Sequence, residues 1–133
     1  MKKVLILMGS ESDRERMEKA LPILQSANIA CEIQVSSAHR EPDRTADLAK
    51  QAAARGFGVV ICGAGLSSAL PGVVAAHTTL PVIGVPLSVA LGGLDALLST
   101  VQMPPGVPVA CVGIDNAKNA AHLALRILQL AGT

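Results

Sequence analysis

With 133 residues the chain has room for one domain with a substantial core, and not for two. Half of the residues are hydrophobic and only Phe57 is aromatic, so the core must be aliphatic and packed closely through Ala and Gly. A formal net charge of +1, without a basic run or stacking aromatics, gives no support for a nucleic-acid or membrane-surface binder.

The first predicted element is Val4–Met8, a short apolar run ending at Gly9, the pattern of a strand buried on both faces. From Asp13 a helical period follows in Met17, Ala20, Leu21 and Leu24, which Pro22 should kink or shorten. Ile29–Val35 reads as the second strand. Pro42 suits the first turn of a helix that runs to about Arg55 and stops at Gly56. Val59–Cys62 is the third strand, and the Gly/Ser loop 63–68 leads to a helix near Pro71–Ala76. Pro81–Val85, a short helix Leu94–Thr100, a strand Val109–Val112 and a closing helix Asn116–Leu130 complete the order. Strands alternating with helices at this spacing predict a central parallel sheet with right-handed crossovers.

Cys31, Cys62 and Cys111 have no CxxC or metal-ligand spacing, and Cys62 and Cys111 read as small hydrophobes in strands. No signal-peptide pattern and no run of 18 apolar residues is present, which leads to the expectation of a cytoplasmic protein. Among the three histidines, His122 shares a polar helix face with Lys118, Asn119, Arg126 and Gln129, and His77 falls at a helix end. Only His39 is placed in a sheet-edge loop among other polar side chains.

That loop, 36–43, puts His39 beside Arg40 where a strand ends and a helix begins. Open α/β sheets bind ligands at this edge, and the pair suits acid/base chemistry on an anionic substrate. A second loop, Gly9-Ser10-Glu11-Ser12-Asp13, lacks the Lys of a P-loop and the spacing of a dinucleotide fingerprint. It still offers hydroxyls and backbone N–H groups suited to a phosphate monoester, with Asp13 better placed for a ribose hydroxyl. Ser and Asp as plain helix caps are the competing reading. Loops 63–68 and 86–93 close the same edge. The proline-rich segment 102–108 reads as the roof of a pocket or an apolar contact surface for a neighbouring subunit.

Six motifs in order resemble the PurE family of purine biosynthesis across essentially the whole chain. They are 8–13 (MGSESD), 37–40 (SAHR), Ala64-Gly65 with Leu70-Pro71-Gly72, 80–86 (LPVIGVP), 93–99 (GLDALLS) and 101–104 (VQMP). The resemblance implies a flavodoxin-like three-layer α/β/α sandwich, assembled as a homo-octamer with sites at subunit junctions. It also implies a small-molecule ribonucleotide substrate and no metal or organic cofactor. By motif, Ser10, Asp13 and Arg40 match the residues that hold the ribose phosphate, His39 the proton-transfer residue, and Ser37, Gly65 and Leu70 pocket-lining positions.

Two chemistries remain open within the resemblance. One rearranges 5-(carboxyamino)imidazole ribonucleotide to 4-carboxy-5-aminoimidazole ribonucleotide; the other carboxylates aminoimidazole ribonucleotide directly with carbon dioxide. Ala69, where the mutase branch commonly has a second histidine, looks more like the direct carboxylase, whereas Arg40 and segments 84–86 and 102–108 look more like the mutase. A paralogue acting on another ring nucleotide and a non-catalytic nucleotide-binding module are further alternatives. Relative to many family members the C-terminus is short, which bears on whether an octamer forms.

Overall fold

The apolar run at the start of the chain becomes the strand next to the sheet's turning point. In this computed structural model, which describes residues 1–131, β1 (Lys3–Met8) is fully buried from Val4 to Met8. It lies between β2 (Cys31–Val35) and β3 (Phe57–Ala64), followed by β4 (Val82–Pro86) and β5 (Ala110–Cys111). All pairings are parallel and the order is β2-β1-β3-β4-β5. This is the flavodoxin-like order, whose direction of winding reverses between β1 and β3.

The alternation of side chains along each strand divides the core in two. Val4, Ile6, Met8, Val59, Ile61 and Ile83 face one helical layer, with Met17, Leu24, Ala120, Ala121, Ala124 and Leu128 packed on them. Leu5, Leu7, Val60, Cys62 and Val82 face the other, against Ala49, Ala52, Leu70 and Val74. The first layer holds α1 (Arg14–Met17), α2 (Leu21–Ser26) and α6 (Ala117–Leu130). The second holds α3 (Pro42–Gln51), α4 (Leu70–His77) and α5 (Leu94–Val101). Each fully buried Leu or Ile contributes about 1.5–3 kcal/mol, so the aliphatic composition suffices for both halves of the core. The expected three-layer α/β/α sandwich is what forms.

The first helical stretch is broken, as Pro22 demands. Glu18–Ala20 winds as a tighter 3₁₀ turn before α2, in which Pro22 occupies the first turn. Proline has no N–H to give the carbonyl four residues earlier, so a continuous helix is lost there. Strand β2 starts at Cys31, two residues later than the sequence suggested. The intervening residues close α2: Asn28 adopts a left-handed φ of 57°, and the N–H groups of Asn28 and Ile29 donate to the carbonyls of Gln25 and Leu24. This is a Schellman closure with asparagine in place of glycine.

Other expectations hold with shifted ends. The helix after Pro42 is regular only to Gln51 and tapers through a turn to Gly56, whose φ is 91°. Asn116 caps α6 by accepting the Asn119 N–H at 3.0 Å. His122 is exposed and His77 is the exposed last residue of α4, as their spacing predicted. Cys62 is buried and its thiol pKa is pushed far up by burial, which makes it an inert hydrophobe; Cys31 and Cys111 are partly buried. No helix among the described residues is long and apolar enough to cross a membrane.

Candidate active site

The reversal of winding between β1 and β3 leaves a crevice at the carboxyl ends of the strands, and three loops converge on it. They follow β1, β2 and β3, and Val89 from the segment after β4 closes one side. The resulting cleft has a volume of about 380 Å³, within the range of small-ligand sites. Ser10, Asp13, Ser37, His39, Arg40, Gly65 and Leu70 all line it, so the structure brings every sequence-predicted site residue together.

Ser10 is exposed and caps the 3₁₀ turn Glu11–Asp13, with its hydroxyl accepting the Ser12 N–H at 3.3 Å and lying 3.0 Å from the Ser12 hydroxyl. The capping and cleft readings of Ser10 are thus compatible. Asp13 is only 4% exposed and does not cap α1 through its side chain. Its Oδ1 instead accepts from Arg16 Nη2 at 3.2 Å. Burial pushes the Asp13 pKa up, against the Arg16 charge and the Ser10 backbone, which favour the carboxylate.

The β2 side is anchored from beneath. The buried hydroxyls of Ser36 and Thr45 are 2.7 Å apart, tying the strand end to α3. Ser37 accepts the Arg40 N–H on its hydroxyl at 3.1 Å and the Glu41 N–H on its carbonyl at 2.8 Å. His39 and Arg40 therefore sit on a hydrogen-bonded turn. Their own side chains are exposed, and no hydrogen bond or ion pair within the described residues engages them.

On the β3 side, the absence of a side chain at Gly65 is required by Val89: a Cβ there would stand 2.4 Å from Val89 Cγ2. The small size of this glycine seats Val89 at the rim of the cleft that both residues line. Leu70 is buried at the start of α4, and Ala69 lines the cleft beside it. Ser68 is buried; its hydroxyl donates to the Ala64 carbonyl at 3.0 Å and lies 3.2 Å from Thr100 Oγ1. That engagement makes Ser68 a brace for the loop.

The sequence reading missed Arg16, Ser88 and Asp115. Arg16 Nη1 donates to Asp115 Oδ1 at 3.2 Å and to the Ser88 carbonyl at 3.1 Å. Nothing in a single sequence signals contacts between residues 72 and 99 positions apart. No group of three His, Cys, Asp or Glu side chains among the described residues could hold a metal ion.

A doubly wound α/β sheet with a polar, hydroxyl-bearing cleft at its switch point, and an imidazole beside a guanidinium on its rim, is the arrangement in which α/β enzymes place a small-ligand site. The family model described as AIR carboxylase matches residues 3–133, and the chain belongs to that family. It is 56% identical over 131 residues to the N5-carboxyaminoimidazole ribonucleotide mutase of Pyrococcus abyssi, covering 98% of this chain and 75% of that protein. It is 53% identical to the phosphoribosylaminoimidazole carboxylase of Schizosaccharomyces pombe, over 92% of this chain but 22% of that longer protein. The crystal structure of Treponema denticola PurE superposes with a TM-score of 0.85 at 36% identity, covering 96% of this chain and 80% of that one.

Proposed function

We propose that the chain catalyses the rearrangement of N5-carboxyaminoimidazole ribonucleotide to 4-carboxy-5-aminoimidazole ribonucleotide in de novo purine biosynthesis. The observation that carries this reading is the placing of His39 and Arg40 across one cleft from Ser10 and Asp13, in a chain that shares more than half its residues with a mutase along 98% of its length. Arg40 and Ser10 bind the phosphate, Asp13 accepts from a ribose hydroxyl, and Ser37, Gly65 and Leu70 form the walls. Arginine suits the phosphate because its planar fork makes charge-assisted, paired hydrogen bonds.

The chemistry requires one proton to leave and one to arrive. Cleavage of the bond from the exocyclic nitrogen to the carboxyl group needs a proton on that nitrogen, and bond formation at ring carbon four leaves that carbon with a surplus hydrogen. A single imidazole can donate the first and accept the second, returning to its starting state. His39 is exposed and its side chain has no hydrogen-bond partner among the described residues, so its ring nitrogens are available for both steps. The isomerisation balances in atoms and electrons, and neither step transfers an electron.

Direct carboxylation of aminoimidazole ribonucleotide is the second reading, favoured by Ala69 where the mutase branch commonly has histidine. Supplying each nucleotide separately, with and without bicarbonate, decides between them. Formation of the 4-carboxy product from the N5-carboxy substrate, independent of bicarbonate, is the expected result. Product formed only from aminoimidazole ribonucleotide with bicarbonate would replace the mutase reading by the carboxylase.

We also propose a cytoplasmic homo-octamer. Leu91, Leu94, Leu98 and Val101 are exposed at spacings of three and four residues, and Val89 and Leu66 extend that apolar surface to the cleft. Such a surface suits burial between copies in a closed assembly. The sequence reading centred the patch on segment 102–108. Pro104, Pro105 and Pro108 are exposed there while Met103 packs close to Gly72, and the exposed side chains on and just before α5 extend that surface. A stable, fully active monomer by light scattering would remove the assembly.

A further inference from the structure

Arg16 joins three parts of the molecule that the proposed reaction needs held together. Its Nη2 donates to Asp13 Oδ1 at 3.2 Å, while Nη1 reaches Asp115 Oδ1 and the Ser88 carbonyl. Ser88 is in turn fastened to Asp115, whose Oδ1 accepts its backbone N–H at 2.9 Å and whose Oδ2 accepts its hydroxyl at 2.5 Å. The next residue is Val89, which lines the cleft and packs where Gly65 lacks a side chain. One guanidinium thus connects the loop after β1 to the segment after β4 and to the turn before α6.

The arrangement matches what a buried carboxylate requires. The Asp13 side chain is only 6% exposed, and a buried carboxyl without a cation or donors takes up a proton. A protonated Asp13 would lose the charge that strengthens its bond to a hydroxyl. Arg16 engages it through Oδ1, and a carboxylate accepts on both oxygens, so the pair does not exhaust its acceptor capacity. We propose that Arg16 is a positioning residue of the nucleotide site: it holds the Asp13 carboxylate as acceptor for a ribose hydroxyl and, through Ser88 and Asp115, keeps Val89 against the cleft. This inference rests on the reading of Asp13 as a ribose contact, and the experiment below separates the two.

The charged groups around Asp13 are few. Arg16 approaches it from α1, His39 and Arg40 line the same cleft from the β2 side, and Asp115 faces Arg16 from the turn before α6. Glu11 pairs with Arg14 and lines no part of the cleft. Loss of Arg16 leaves burial to raise the Asp13 pKa with only the Ser10 backbone opposing it. Loss of the Asp115 charge does the reverse, because the Arg16 cation is then no longer shared between two carboxylates.

The test is calorimetric binding of 4-carboxy-5-aminoimidazole ribonucleotide from about pH 5 to about pH 8, with turnover measured alongside. Arg16→Gln is expected to weaken binding about tenfold at neutral pH, the scale of one lost charge-assisted bond, with kcat changed far less. Its acid-side loss of binding should begin at higher pH than in the unmodified protein, and that of Asp115→Asn at lower pH. Arg16→Lys should recover part of the affinity. Opposite shifts in the two variants are what a change at Asp13 gives, because Asp13 and Asp115 share the one Arg16 guanidinium.

Unchanged affinity and an unmoved acid limb in Arg16→Gln, with Asp13→Asn weakened, would overturn the positioning role while leaving the ribose contact standing. Unweakened binding by Asp13→Asn would remove the ribose contact and the proposal together. If Arg16→Gln does not fold, the Asp115→Asn shift decides alone: a downward move supports the proposal and no move overturns it.

Discussion

On the β1 side of the cleft, Asp13 is buried and paired to Arg16, and Ser10 caps the turn on which it sits. On the β2 side, His39 and Arg40 are exposed, with side chains in no hydrogen bond among the described residues. Under the proposed roles, the difference follows from what each side is asked to do. A group that only accepts a hydrogen bond gains from being fixed in advance, since ordering it on binding would cost affinity. A proton carrier needs its nitrogens unoccupied, and a phosphate clamp needs its donors free for the ligand. Rigidity on the second side is supplied one layer down, by the Ser36–Thr45 pair and the Ser37 turn.

The sharpest way to break this contrast is His39→Asn. Turnover should fall by at least about a hundredfold, the usual scale for positioned acid/base catalysis. Thermal unfolding should be unmoved, since the exposed imidazole packs on nothing in the core. Near-normal turnover would take His39 out of the mechanism and leave the two sides without distinct roles.

Gly65→Ala tests the packing that holds the rim. A methyl group placed 2.4 Å from Val89 Cγ2 must displace Val89 or the loop, and overpacking of this kind costs about 1–3 kcal/mol. A lowered denaturant midpoint with weakened nucleotide binding is expected. Unaltered stability would mean that the Val89 contact yields freely.

Arg40→Leu should raise the Michaelis constant about tenfold with little loss of stability, and Ser10→Ala should do so by less, because only the first removes a charge-assisted bond. The reverse order in steady-state kinetics would move the phosphate toward the β1 loop.

The smallest expected effect concerns the acid stability of Asp115. Burial opposes its charge, but the Ser88 hydroxyl and N–H and the Arg16 cation outweigh this and hold its pKa below the ordinary carboxylate value. A depressed pKa gives stability that is present above the unfolded value, about 3.9, and lost as pH falls through the folded one. Asp115→Asn should therefore lower the urea midpoint slightly at neutral pH, with the difference vanishing in strong acid. A difference that persists in acid would assign the stabilisation to hydrogen bonding alone.

Much of this molecule was legible from its residues because the signals were local. The unbroken apolar run Val4–Met8 could only be an internal strand, Pro22 had to interrupt a helix, and the Lys118-to-Gln129 spacing put His122 in solvent. The loops 9–13 and 37–40 were found for the same reason, since each carries its functional groups within a few residues. Less visible was the true start of β2, because an asparagine-based helix closure has no reliable mark in sequence.

By itself, then, the sequence determined the alternation of strands and helices, the aliphatic core and the loops whose side chains line the cleft, all set by patterns within one element or one loop. Only the tertiary structure decided that Asp13 shares a guanidinium with Asp115, that Val89 packs where Gly65 lacks a side chain, and that exposed apolar side chains line α5 as well as segment 102–108. These depend on side chains from distant segments meeting across the sheet edge, where distance along the chain says nothing about distance in space.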